Sequence, residues 1–116
     1  MPDDTDIARL KQVLLNERRT LTADDAAHAQ DRSPVELDQT RQGRLSRIDA
    51  VQQQEMAKAV HARTEARLRQ IDAALQRIDD GDYGCCLSCG EEIASRRIEA
   101  DPATPRCIDC ASGRRR

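Results

Sequence analysis

Cys86-Leu87-Ser88-Cys89-Gly90 and Cys107-Ile108-Asp109-Cys110 decide how the last third of this chain folds, and seventeen residues lie between the two pairs. Four thiolates in two i, i+3 pairs are the donor set of a tetrahedral structural zinc site. Each pair grips the ion from one tight knuckle, and Gly90 lets the first knuckle turn so that amides face the sulfurs. A redox Cys-x-x-Cys is single and sits at the mouth of a βαβ unit, of which this sequence has no sign. Four cysteine ligands close the site, so no open position remains for water or hydrolytic chemistry. The expectation is one structural Zn2+ per chain, held by Cys86, Cys89, Cys107 and Cys110.

The composition around the pairs demands such a staple. Residues 81–116 contain no Phe or Trp, and Tyr83 is their only aromatic residue. So little apolar surface does not offset the ordering of 36 residues, and metal binding must contribute the difference.

Working outward, the chain has 116 residues, 34% of them charged, and a net charge of −2. Two closed Cys pairs and one odd Cys suit a reducing compartment better than a disulfide scaffold. Met1-Pro2-Asp3-Asp4 leads into no apolar run, and no stretch approaches membrane-spanning length, so neither a signal peptide nor a membrane anchor is expected. A cytoplasmic protein is the reading.

Residues 5 to about 80 are rich in Ala, Leu, Arg, Gln and Glu, the strong helix formers. Ile7, Leu10, Leu14 and Leu21 fall at heptad-like spacing, with Glu17 interrupting the seam, and Leu68, Ile71, Leu75 and Ile78 repeat the spacing later. Thr5 and Asp6 are the expected N-cap residues, and Gly81 stands where a left-handed C-cap is wanted. Arg32-Ser33-Pro34 and Gly43 hold the helix breakers between the seams. Two helices with one apolar stripe each bury those stripes against one another. The expected fold is mainly α: a long antiparallel, coiled-coil-like helical hairpin over 1–80 with a small C-terminal four-cysteine zinc finger over 81–111. Helix 1 covers about 5–31, the tip about 33–50 and helix 2 about 46–80, and 112–116 is a basic tail. Dimerisation through the seam is the alternative use of the stripe.

Gly81-Asp82-Tyr83-Gly84, Cys86-x-x-Cys89-Gly90-Glu91-Glu92-Ile93, Arg97-Ile98-Glu99-Ala100-Asp101-Pro102-Ala103 and Cys107-Ile108-Asp109-Cys110 together resemble the DksA/TraR family of four-cysteine zinc-finger proteins. The likeness runs without a gap from about residue 77 to 111. Upstream it is a likeness of shape, and Val35 to Gln54 is more similar to the short DksA-like members. The resemblance implies a bacterial transcription regulator that binds RNA polymerase through its secondary channel and makes no sequence-specific contact with DNA. It also implies that the hairpin tip modulates initiation. The alarmone ppGpp acts in concert with polymerase in one branch of the family and is not needed in the other.

The family's tip motif is Asp-x-x-Asp-x-Ala. Asp3-Asp4-Thr5-Asp6-Ile7-Ala8 matches it, but lies at the base of the expected hairpin, where acids cap a helix. The tip candidates are therefore Asp49 and Ala50, with Arg44 and Arg47 beside them. For Asp49 the structural alternative is a capping box begun by Ser46. Arg41, Arg44 and Arg47 recur at every third position, and a basic tip suits a modulator better than a cleavage factor that must hold a magnesium ion.

His28 and His61 are read as isolated from each other and from the cysteines, with His61 partly buried in the seam seven residues before Leu68. Cys85 stands where many family members carry an aromatic residue. It is read as a small inert substitute, with thiol exchange toward Cys86 as the alternative. Arg114, Arg115 and Arg116 would add nonspecific attraction to acidic partners. A zinc-ribbon module for nucleic acid or general protein interaction is the competing function. It is disfavoured by six Arg against six acids in 81–116 and by a single aromatic residue. No nucleophile–base pair, phosphate loop or open metal site marks an enzyme.

Overall fold

The computed structural model describes residues 2–32 and 44–113. Among them, α1 (Asp4–Ala27), a 3-10 turn (Ala29–Arg32), α2 (Arg44–Asp80), α3 (Ser95–Ala100) and α4 (Ile108–Ala111) follow in order. Two compact units result, one of Met1–Arg19 with Arg67–Arg116 and the other of Thr20–Ala66. The start of α1 thus keeps company with the end of α2, and the end of α1 with the start of α2, as antiparallel pairing requires. No described helix is long and apolar enough to cross a membrane.

The first helix starts earlier than Thr5 or Asp6 would have it. Asp3 is its cap: the Asp6 amide donates to Asp3 Oδ1 at 2.8 Å, and Ile7 N to Asp3 O at 2.9 Å closes the first turn. Asp4 and Asp6 then occupy that turn, where the helix dipole favours acids. At the other end the α-helical winding stops at Ala27, and the residues after it tighten into 3-10 geometry. α2 closes in a Schellman motif. Gly81 at φ +80° donates to Ile78 O at 3.2 Å, and Asp82 N donates to Arg77 O at 2.9 Å.

In the unit that carries the cysteines, Leu10 and Leu14 of α1 and Ile71 and Ala74 of α2 are fully buried. Each large aliphatic side chain among them stabilises the pairing by about 1.5–3 kcal/mol. Leu68, Leu75 and Ile78 extend the stripe, half-buried. Beyond α2 the chain packs a small core of Tyr83, Cys86, Ile93, Ile98 and Ala103. The Tyr83 hydroxyl donates to Pro102 O at 2.7 Å. Burial pushes that phenol up to about 12, with nearby Arg77 pulling the other way.

The other unit is built differently. Its covered positions on α2 are Arg47, Ala50, Gln54, Ala57, His61 and Thr64. They keep the three-four spacing of a seam, yet none is a large aliphatic residue. Facing them from α1 are Leu21 and Asp25. Polar contacts must therefore carry much of the pairing here.

Candidate metal centre

The finger is shaped by its turns. Cys86 N donates to Glu91 O at 2.8 Å and Gly90 N to Cys86 O at 2.9 Å, which folds Cys86-Leu-Ser-Cys89 into one knuckle. Gly90 sits at φ +78° with open space where a Cβ would lie, so the backbone angle, not crowding, requires glycine. Leu87 N donates to Pro105 O at 2.9 Å and ties this knuckle to the second loop, which runs from Cys107 into α4. Ile93 N to Gly84 O at 2.8 Å and a bridge between Cys85 and Glu92 close the base.

These turns bring Cys86, Cys89, Cys107 and Cys110 together with all four sulfurs within 4.8 Å of one another. Sulfurs held tetrahedrally about 2.3 Å from zinc stand about 3.8 Å apart, and the Cys89 and Cys107 sulfurs are 3.8 Å apart. The donor set fits the ion. Burial raises the Cys86 thiol, but the amides of Cys107, Cys89 and Ser88 overcome this and hold it down to about 6. Burial, then sulfur contacts with Cys107, Cys86 and Cys89, push Cys110 up to about 12. Four thiolates repel in so small a volume, and a divalent cation is what allows all four to ionise. Cys85 lies outside the cluster, in the bridge to Glu92.

A polar clamp joins this finger to the helix ends, and sequence reading missed it. Arg67 on α2 donates Nε to Glu17 Oε2 at 2.5 Å, Nη2 to Glu17 Oε1 at 3.1 Å, and Nη2 to Asp101 Oδ1 at 2.9 Å. Asp101 also takes the Ala103 amide at 3.1 Å, which fixes its carboxylate. Glu17 first, and Asp101 as well, hold the Arg67 guanidinium above its ordinary range. Arg9 of α1 forks onto Glu99 of α3. The seam interruption at Glu17 was the available signal, since a carboxylate at a seam position needs a cation opposite it.

Contrary to the expectation from sequence, the two histidines are not isolated from each other. His28 and His61 line one cleft of about 300 Å³ with Asp24, Asp25, Ala57, Val60 and Thr64. His61 is partly buried, with Nδ1 2.6 Å from Asp25 Oδ1 on α1 and Nε2 2.6 Å from Glu65 Oε1 on α2. Helical folding across a sequence gap of 36 residues makes that meeting.

Of the tip candidates, Asp49 is exposed, and Ala50 and Arg47 are half-covered in the first turns of α2. α2 is already helical at Arg44, so Ser46 and Asp49 lie inside the helix and not at its cap. Ser33–Gly43, including Arg41, and Arg114–Arg116 lie outside the described residues, and the Arg44 side chain is likewise undescribed.

Comparison with known proteins agrees with this geometry. Residues 81–116 match the prokaryotic dksA/traR C4-type zinc finger. The RNA polymerase-binding transcription factor DksA of Haemophilus influenzae is 41% identical over 63 residues, which span 53% of this chain and 43% of that protein. The Escherichia coli protein of the same name is 40% identical over 63 residues, 42% of its length. The matched region is thus less than half the length of these relatives. The structure of DksA2 from Pseudomonas aeruginosa superposes with a TM-score of 0.77 over 97% of this chain and 84% of that one, at 24% identity, which establishes the fold. Residues 81–116 thus carry a zinc finger of the prokaryotic dksA/traR C4 type, in a chain that has the fold of DksA2.

Proposed function

We propose that this chain binds one Zn2+ through Cys86, Cys89, Cys107 and Cys110, and docks on bacterial RNA polymerase at its secondary channel to modulate initiation. The four-sulfur cluster on a DksA fold is the observation that carries the reading, together with relatives named for polymerase binding. The metal would be structural: it would order the finger against the helix ends, and no step of chemistry is assigned to it. The helix pair supplies reach, and the region around Arg44, Arg47, Asp49 and Ala50 acts on the polymerase. Asp49 suits that role because it is exposed and has no capping duty inside α2. The protein then works where polymerase works, in the cytoplasm, without reading DNA sequence.

Transcription from a purified polymerase, with and without the chain and with and without ppGpp, tests the proposal. Wild type should change the yield of initiated transcripts. Asp49→Asn, which alters charge at nearly constant volume, should leave helicity and zinc content intact and abolish the change. Equal regulation by wild type and Asp49→Asn would remove Asp49 from the account and direct attention to Arg44 and Arg47. No effect of wild type on any promoter would contradict the function itself.

A further inference from the structure

Several contacts converge on the stretch just ahead of the second cysteine pair. Leu87 N donates to Pro105 O at 2.9 Å, and Arg106 Nε donates to Ser88 Oγ at 2.9 Å. Leu87 and Ser88 are the two residues between Cys86 and Cys89, so both are tied to the segment that leads into Cys107. The Thr104 hydroxyl donates to the Arg106 carbonyl at 3.3 Å, and Arg97 of α3 donates Nε to that same carbonyl at 2.9 Å. This carbonyl belongs to the peptide whose N–H is that of Cys107, and the Cys107 amide is one of three that donate to the Cys86 sulfur. Carbonyl and N–H of a trans peptide lie in one plane and point opposite ways. A grip on the oxygen therefore fixes the direction of the N–H.

The grip also strengthens that donor. A guanidinium makes a hydrogen bond about twice as strong as a neutral donor does. A peptide polarised at its oxygen is a better donor at its nitrogen, by about 10–30% per bond in a chain of hydrogen bonds. Four thiolates outweigh the charge of one divalent cation, so N–H donors to sulfur help the cluster to keep its metal. We propose that Arg97 is a positioning residue of this cluster, a role that rests on the zinc binding proposed above. By holding the Arg106 carbonyl it aims and strengthens the Cys107 N–H toward the Cys86 sulfur, and so sets how tightly the chain retains zinc. Arg96 carries the same charge on the same helix and lines one cleft of about 560 Å³ with Arg97 and Cys107. The bond to the Arg106 carbonyl, however, is made by Arg97, which separates contact from charge.

Two readings on the full-length chain test this: zinc affinity by competition with a chromogenic chelator, and the Cys107 amide proton by NMR of the zinc-loaded protein. Arg97→Met keeps the stem and loses the guanidinium. It should weaken zinc binding about 10-fold and move the Cys107 amide proton upfield, as a weakened hydrogen bond does. Arg97→Gln, whose side-chain amide carries an N–H at the place of Nε without the charge, should fall between Met and wild type in both readings. Arg96→Met should match wild type in both. Tyr83→Phe removes a hydrogen bond elsewhere in the finger and should leave the Cys107 amide proton in place. Wild-type affinity in Arg97→Met, or a Cys107 amide proton that stays put, would overturn the proposal and leave zinc binding standing. Equal changes in Arg96→Met would overturn it too, since charge without contact would then suffice. So would an equal movement of the amide proton in Tyr83→Phe, since any loosening of the finger would then produce it. Should Arg97→Met not fold, Arg97→Gln decides, and wild-type values in both of its readings would overturn the proposal. A wild-type chain that binds no zinc would overturn both this role and the zinc binding itself.

Discussion

Replacing Arg67 by Met should cost the folded chain about 1.5–2 kcal/mol. The stem is kept, so packing along α2 changes little. Lost are three hydrogen bonds to carboxylates, Nε to Glu17 at 2.5 Å, Nη2 to Glu17 at 3.1 Å and Nη2 to Asp101 at 2.9 Å, and a longer one from Nη1 to Gln70 at 3.3 Å. Exposed ion pairs contribute about 0–1 kcal/mol, and breaking a fully buried one costs about 3–5 kcal/mol. With side-chain exposures of 27% for Arg67, 36% for Glu17 and 45% for Asp101, this cluster falls between those limits. For a chain of this length the cost lowers Tm by roughly 5–9 °C. Thermal melts followed at 222 nm with zinc in excess read the shift. A cycle with Glu17→Gln isolates the pair, with an expected coupling of about 1 kcal/mol. Additive single and double variants, or a Tm within about 2 °C of wild type, would refute the idea that Arg67 joins finger and helices energetically.

Other expectations follow from the same contacts. Chelation or Cys107→Ser should abolish hydrogen-exchange protection in 81–113 and lower it in Asp4–Arg19 and Arg67–Asp80, which share a unit with the finger, while protection persists in the helical residues 20–27 and 47–66 of the other unit; a finger that stays protected without metal would show that zinc is not its staple. Cys85→Ala should retain full zinc by metal analysis, because Cys85 lies outside the four-sulfur cluster, and lost zinc would mean that the ligand set includes it. Tyr83, the only aromatic residue in the chain, should titrate near 12 when folded, read at 295 nm, against about 10 when unfolded. Because its folded pKa is raised, its contribution is complete below about pH 10 and fades as pH climbs toward 12; a folded midpoint at 10 would contradict its burial.

Local signals in the sequence carried the finger and the helix stop. Two Cys-x-x-Cys pairs specify a four-sulfur site wherever they meet, and Gly81 marks a Schellman cap because a left-handed residue ends a helix. The Leu68–Ile78 stripe fixed which face of α2 is buried. What could not be read is long-range. Glu17 meets Arg67 across 50 residues, and Arg67 meets Asp101 across 34, so only folding reveals the clamp. The two histidines share a cleft for the same reason. The cap was misplaced because Asp3, Asp4, Thr5 and Asp6 all have capping side chains, and geometry alone chose Asp3. Asp49 and Arg47 were singled out beside an expected bend that lies outside the described residues, and the role proposed for them would be exercised on a surface that this chain does not contain.

The central claim is that the chain occupies the secondary channel of RNA polymerase. A binding titration of core polymerase with the zinc-loaded chain, repeated with rising amounts of a transcript-cleavage factor that enters the same channel, tests it most directly. The account predicts saturable one-to-one binding that the cleavage factor displaces completely. Binding that persists at saturating competitor, or no binding at all, would contradict it.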